Sequence, residues 1–69
     1  MTAINTLSIQ EKKILSSLAN GSLYKEIAAE YQISINTVKK HIKNIYRKLQ
    51  VNRRSLATQI YMEQLESVA

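Results

Sequence analysis

The stretch INTVKKHIKNIYRKL, Ile35–Leu49, decides how this chain is read. On a helix advancing roughly 100° per residue, Ile42, Ile45 and Leu49 fall within about 40° of Val38, with Tyr46 flanking them. They form one apolar stripe. Asn36, Lys39, Lys40, Lys43 and Arg47 fall on the far side, between about 100° and 200° from Val38. A polar face opposite a core stripe is ordinary in a surface helix. A face of Lys, Arg and Asn alone is not, because no Glu stands at i,i+4 to pair with the cations and their mutual repulsion weakens the helix until an anion binds. Ser34, just before the stretch, is an N-cap.

Working outward, Gln32-Ile33 forms a tight connection to a preceding helix, Tyr24–Tyr31, with Ile27, Ala28 and Tyr31 on its inner side. Glu26 sits in that helix's first turn, where the helix dipole favours an anion. Glu26 and Glu30 are four apart but have no matching His or Asp, so they make no catalytic pair. Further upstream, Ser8-x-x-Glu11 reads as a capping box with Leu7 as its staple. Ile14, Leu15, Leu18 and Ala19 continue at helical spacing, Lys12 and Lys13 fall on the solvent side, and Asn20-Gly21 ends the helix. Downstream, Val51 and Asn52 mark a break, with Asn52 as N-cap of a fourth helix over residues 53–67. Its Leu56, Ala57, Ile60, Tyr61 and Leu65 form a wide apolar band. That band either completes the domain's own core or leaves a strip for a second copy.

Composition narrows the function. The chain has 69 residues, one glycine, no proline and no cysteine, which favours a single all-α domain and excludes disulfide scaffolds, thiolate metal sites and cysteine nucleophiles. All five acids are glutamates and there is one histidine, so carboxylate dyads, metal hydrolases and triads lack parts; no enzyme activity, cofactor or metal is expected. His41 stands alone and reads as a half-buried side chain holding a backbone or phosphate contact. The four tyrosines read as core packing before stacking platforms for single strands. No apolar run reaches about 18 residues, and the first seven residues lack the charge and hydropathy of a signal peptide, so a cytoplasmic protein with no membrane partner is expected.

Net charge is +5, and residues 31–62 contain no acid while holding seven of the ten cations. A one-sign region of this kind concentrates and steers a polyanion. A short helix, a tight turn and a long basic helix make a helix-turn-helix unit, here over about residues 22–41. Such a unit suits double-stranded DNA, since a helix about 10–12 Å across fits a major groove about 12 Å wide. A small helical adaptor whose basic face meets an acidic protein is the alternative. Lipid fits poorly, because the third helix turns cations rather than bulky apolar groups outward.

The blocks Lys25-Glu26-Ile27-Ala28, then residues 33–42, then Asn44-Ile45-Tyr46-Arg47-Lys48-Leu49 and Arg54 resemble the LuxR-type (GerE-type) DNA-binding domain, and the likeness runs from about Leu7 to Ile60. The resemblance implies a four-helix bundle, a bacterial transcriptional regulator or its output module, and a third helix lying in the major groove. It places Lys39, Lys40 and Lys43 at base edges, and Ser34, Asn36, Thr37, Arg47 and Lys48 at phosphates. Arg54 is expected at a phosphate or in an intramolecular contact. The fourth helix is expected to join two copies, at least on DNA, through Leu56, Ile60, Tyr61 and Leu65; RNA polymerase is a further candidate partner. Three positions depart from the family. Leu23 replaces a small hydroxyl cap, leaving Ser22 as the cap of the second helix. Gln50 replaces a glycine, which implies strain at the end of the third helix, and Tyr61 replaces a small residue. With no aspartate present, any phosphorylation switch lies elsewhere, whether the chain is a fragment or a stand-alone regulator.

Overall fold

Three helix ends are closed by the same hydrogen-bond pattern, and these closures set the path of the chain. A computed structural model describes residues 6–68, with side chains described through residue 64. It contains α1 (Ile9–Ala19), α2 (Tyr24–Tyr31), α3 (Ile35–Leu49) and α4 (Arg54–Val68), and no strand among the described residues.

The start of α1 follows the expected capping box. Ser8 Oγ accepts from the Glu11 N–H at 3.1 Å, and Glu11 Oε1 accepts from the Ser8 N–H at 2.9 Å. At its end, Gly21 adopts φ +89° and passes its N–H to the Leu18 carbonyl, while Ser22 reaches back to Ser17. A Cβ on Gly21 would meet nothing within 4 Å, so the backbone conformation, not space, calls for glycine. The same closure recurs after α2, where Gln32 (φ 56°) bonds Ala29 and Ile33 bonds Ala28. It recurs after α3, where Gln50 (φ 60°) bonds Arg47 and Val51 bonds Tyr46. In each case one residue takes the left-handed conformation and the next returns its N–H to the last turn. Ile33 and Val51 then fold back onto the core.

Two sequence expectations are corrected. Leu23, not Ser22, occupies the N-cap position of α2; it has no side-chain acceptor to offer, and Glu26 Oε1 instead takes the Leu23 N–H at 2.7 Å. Asn52 does not cap α4, because the helix begins at Arg54 and its first closing bond runs from the Ala57 N–H to the Arg53 carbonyl.

α1 is the hub: it packs against α4, α3 and α2, while α2 and α3 pack on each other. Ile14, Leu15, Leu18, Ile27, Val38 and Ile45 are completely enclosed. Each contributes about 1.5–3 kcal/mol by leaving water. Ala57 brings α4 against this core with no exposure at all. Ser17 is buried as well, which the apolar pattern did not indicate; its hydroxyl donates to Glu30 Oε1 at 3.1 Å and lies 3.2 Å from the Tyr31 hydroxyl, which donates to the Lys13 carbonyl. No described helix is long and apolar enough to cross a membrane.

Candidate nucleic-acid interface

α3 is built as its sequence directs. Val38, Ile42, Ile45 and Leu49 are buried, and Asn36, Lys39, Lys40, Lys43 and Arg47 are exposed on the other side. None of the three lysines meets a carboxylate among the described residues. Arg47 Nη2 donates to Asn44 Oδ1 at 3.1 Å, which holds the guanidinium along its own helix while leaving it in solvent. The result is an outward cationic row on a helix that α1 and α2 hold from behind.

The N-terminus of α3 is closed by Ser34. Its Oγ accepts from the Thr37 N–H at 3.1 Å and lies 2.9 Å from the Thr37 hydroxyl. Both hydroxyls thus already serve the first turn, and Thr37 is half-buried.

Two other cations belong to the fold. Lys48 lies about 100° from Arg47, off the cationic row, and its Nζ sits 2.8 Å from Glu11 Oε1. Burial alone would raise the Glu11 pKa. The Lys48 hydrogen bond, the Ser8 N–H, the Lys48 charge and the Ser8 hydroxyl outweigh it and hold the carboxyl below its ordinary range. One carboxylate therefore caps α1 and anchors the last turn of α3. Arg54, for which two placements were open, takes the intramolecular one: Nη2 donates to the Leu18 carbonyl at 2.7 Å and the Ser22 carbonyl at 2.8 Å. It clamps the start of α4 to the α1–α2 corner.

The expected α4 set divides. Tyr61 turns inward, its hydroxyl donating to Ser16 Oγ at 3.0 Å; Ile60 is half-buried against the core; Leu56 is exposed. The side chain of Leu65 lies outside the described residues. Met62, which the sequence reading passed over, is also exposed on α4.

Where α2 meets α3, Tyr24, Lys39, Ile42, Lys43 and Tyr46 line a cavity of about 260 Å³. Burial raises the Tyr46 pKa, and the neighbouring Tyr24 raises it further against a smaller opposing effect of Arg54. Sequence reasoning assigned both tyrosines to the core. Their rings do pack there, but a tyrosine's polar tip commonly stays at a wet edge.

Known proteins match this sequence. The family described as bacterial regulatory proteins, luxR family, matches residues 5–61. The probable transcriptional regulatory protein SgaR of Hyphomicrobium methylovorum is 42% identical over 59 residues, which cover 86% of this chain and 28% of that protein. The nitrate/nitrite response regulator protein homolog of Haemophilus influenzae is 43% identical over 61 residues, covering 88% of the chain and 29% of its own length. The nitrate/nitrite response regulator protein NarP of Escherichia coli is 42% identical over 60 residues, covering 87% and 28%. The chain thus spans under a third of the length of these relatives. By the family match and by its four-helix architecture, the chain belongs to the LuxR family of bacterial regulatory proteins and is one of its helix-turn-helix DNA-binding domains.

Proposed function

We propose that this domain is the sequence-reading module of a bacterial transcriptional regulator and that α3 enters the major groove of duplex DNA. Lys39, Lys40 and Lys43 meet base edges, where lysine pairs well with guanine O6 and N7. Arg47, Asn36 and the Ser34–Thr37 turn hold phosphates and fix the register without reading sequence. Lys48 and Arg54 serve the shape of the domain, and through it the angle of α3. The observation that carries this reading is the outward row of cations with no facing carboxylate, set opposite a buried stripe on the same helix.

Two copies bind an inverted repeat, joined along α4 by Leu56 and the outer edge of Ile60. Two half-sites read together multiply affinity, which one small domain needs. Two relatives are named as response regulators. The signal that governs this domain is accordingly received by another part of the regulator, in the cytoplasm, and the output passes to RNA polymerase at a promoter.

Selection of bound duplexes from a random library tests the reading. It is expected to return a guanine-containing half-site in inverted repeat, with log affinity falling by about 0.9 per phosphate neutralised for each unit of log salt. Recovery of unrelated sequences with no shared half-site would overturn the base-reading role of the lysines. Sedimentation on an inverted-repeat duplex tests the α4 contact, and one protein per two half-sites would defeat it.

A further inference from the structure

We propose that the hydrogen-bonded lock between α1 and α2, formed by Ser17, Glu30, Tyr31 and the Lys13 carbonyl, sets the angle of α3. Ser17, Glu30 and Tyr31 are then positioning residues for sequence discrimination. The inference rests on the DNA-binding reading above and deepens it, by naming what outside α3 fixes how its side chains meet the bases.

Among the described residues, Glu11 and Ser17 are the buried polar side chains. Glu11 already caps α1 and holds Lys48. Ser17 shares its helix with the enclosed Ile14, Leu15 and Leu18, and an apolar side chain in its place would leave water without the cost of desolvating a hydroxyl. What the hydroxyl adds is direction. It donates to Glu30 Oε1 at 3.1 Å and lies 3.2 Å from the Tyr31 hydroxyl, which donates to the Lys13 carbonyl at 3.1 Å. Lys13 and Ser17 are one turn apart, so the last two residues of α2 are tied to successive turns of α1. The apolar core holds the same helices together without fixing an angle, because its attraction is non-directional. Hydrogen bonds weaken steeply once misaligned.

The lock acts where it has leverage on α3. Only Gln32, Ile33 and Ser34 separate Tyr31 from that helix, and the Ile33 N–H is bonded back to Ala28, so the end of α2 and the start of α3 move together. At about 1.5 Å of rise per residue, a tilt of about 5° at Ser34 displaces Lys43 by about 1 Å. Base-edge contacts require placement within about 0.5 Å. Attraction between lysines and phosphates survives such a shift. Loss of the lock therefore falls on discrimination and spares sequence-independent binding.

The test compares affinities for a selected duplex and a scrambled one, by fluorescence anisotropy well below each variant's melting temperature. A variant that merely unfolds more loses both affinities by one factor and keeps their ratio. Tyr31→Phe keeps the ring and removes the hydroxyl. It is expected to lower the ratio by about fivefold, the population advantage that one hydrogen bond confers. Its affinity for the scrambled duplex and its salt slope should stay at wild-type values. Glu30→Gln and Glu30→Ala change the charge identically, but only glutamine keeps an oxygen to accept from Ser17. Glu30 is exposed, so both variants should fold. Glu30→Gln is expected to retain the wild-type ratio, and Glu30→Ala to lose about as much of it as Tyr31→Phe. Equal ratios in the two Glu30 variants, or a wild-type ratio in Tyr31→Phe, would overturn the positioning role while leaving duplex reading by α3 intact. Failure of the wild-type domain to prefer the selected duplex would sink the parent reading instead.

Discussion

Arg47 and Lys48 are adjacent in sequence and do opposite work. Arg47 stands in solvent on the outer face of α3, with a neutral amide as its partner. Lys48, one residue on, leaves the cationic row and is held against α1 by a buried carboxylate. The same division separates Lys39, Lys40 and Lys43 from Arg54, whose guanidinium is spent on two carbonyls. Net charge therefore overstates what the domain can offer DNA. Part of its cationic inventory is consumed in holding α1, α3 and α4 together, and only the remainder can exchange counterions with a duplex. Substitutions in the two groups should separate stability from binding.

The largest effect is expected at the clamp. Arg54→Ala leaves the Leu18 and Ser22 carbonyls without their donor and frees the start of α4, a loss of about 3 kcal/mol for two charge-assisted bonds in a half-buried setting. Thermal denaturation checks this, and a variant melting within a degree of the wild type would show that water replaces the guanidinium at no loss. Arg54→Lys should recover less than half, since the shorter lysine ends before the Nη2 position from which one nitrogen serves both carbonyls.

Next comes the outward row. Lys43→Ala should leave the melting temperature alone and relax discrimination at one base pair by roughly 1–3 kcal/mol. Arg47→Ala should weaken selected and scrambled duplexes alike. Equal behaviour of the two variants on both duplexes would erase the distinction between base and phosphate contacts.

The half-buried ion pair of Glu11 and Lys48 gives a smaller, pH-dependent effect. The Glu11 carboxyl is held below its ordinary value of 4.5, so the folded state resists protonation more than the unfolded chain does. The stabilisation is fully present above that ordinary value and disappears as pH falls through the depressed one. Glu11→Gln should lower stability near neutrality by about 1 kcal/mol, the scale of one charge-assisted bond less its desolvation. It should also flatten the acid limb of the stability curve. Melts at neutral pH and near pH 3 decide the matter, and parallel losses in both proteins would contradict the linkage.

Much of this architecture was legible in the sequence because helices write their faces at fixed spacing. The stripe of Val38, Ile42, Ile45 and Leu49, the capping box of Ser8 and Glu11, and the cationic row opposite the stripe all follow from local periodicity. Contacts between distant residues did not. Glu11 and Lys48 are 37 positions apart, and Arg54 and Ser22 are 32 apart; nothing in either local pattern says that they meet. Tyr24 looked like core because its ring is core, while the position of its hydroxyl depends on how α2 crosses α3. The α4 band was read as one surface, yet packing against α1 draws Tyr61 inward and leaves Leu56 out.

The smallest effect concerns the helix closures. Three closures share one geometry, but only the first carries glycine; Gln32 and Gln50 take φ of 56° and 60° with a Cβ in place. A non-glycine residue in that conformation is strained by roughly 1–2 kcal/mol, and glycine's greater freedom in the unfolded chain takes back part of the gain. Gln50→Gly should thus stabilise the domain by about 0.5–1 kcal/mol and raise its melting temperature by about 4 °C. The closing bonds from Gln50 to Arg47 and from Val51 to Tyr46 are backbone bonds and survive the change. DNA affinity should not move, since Gln50 lies beyond the cationic row. A fall in melting temperature would mean that the glutamine side chain holds the α3–α4 junction by a contact stronger than the strain it imposes.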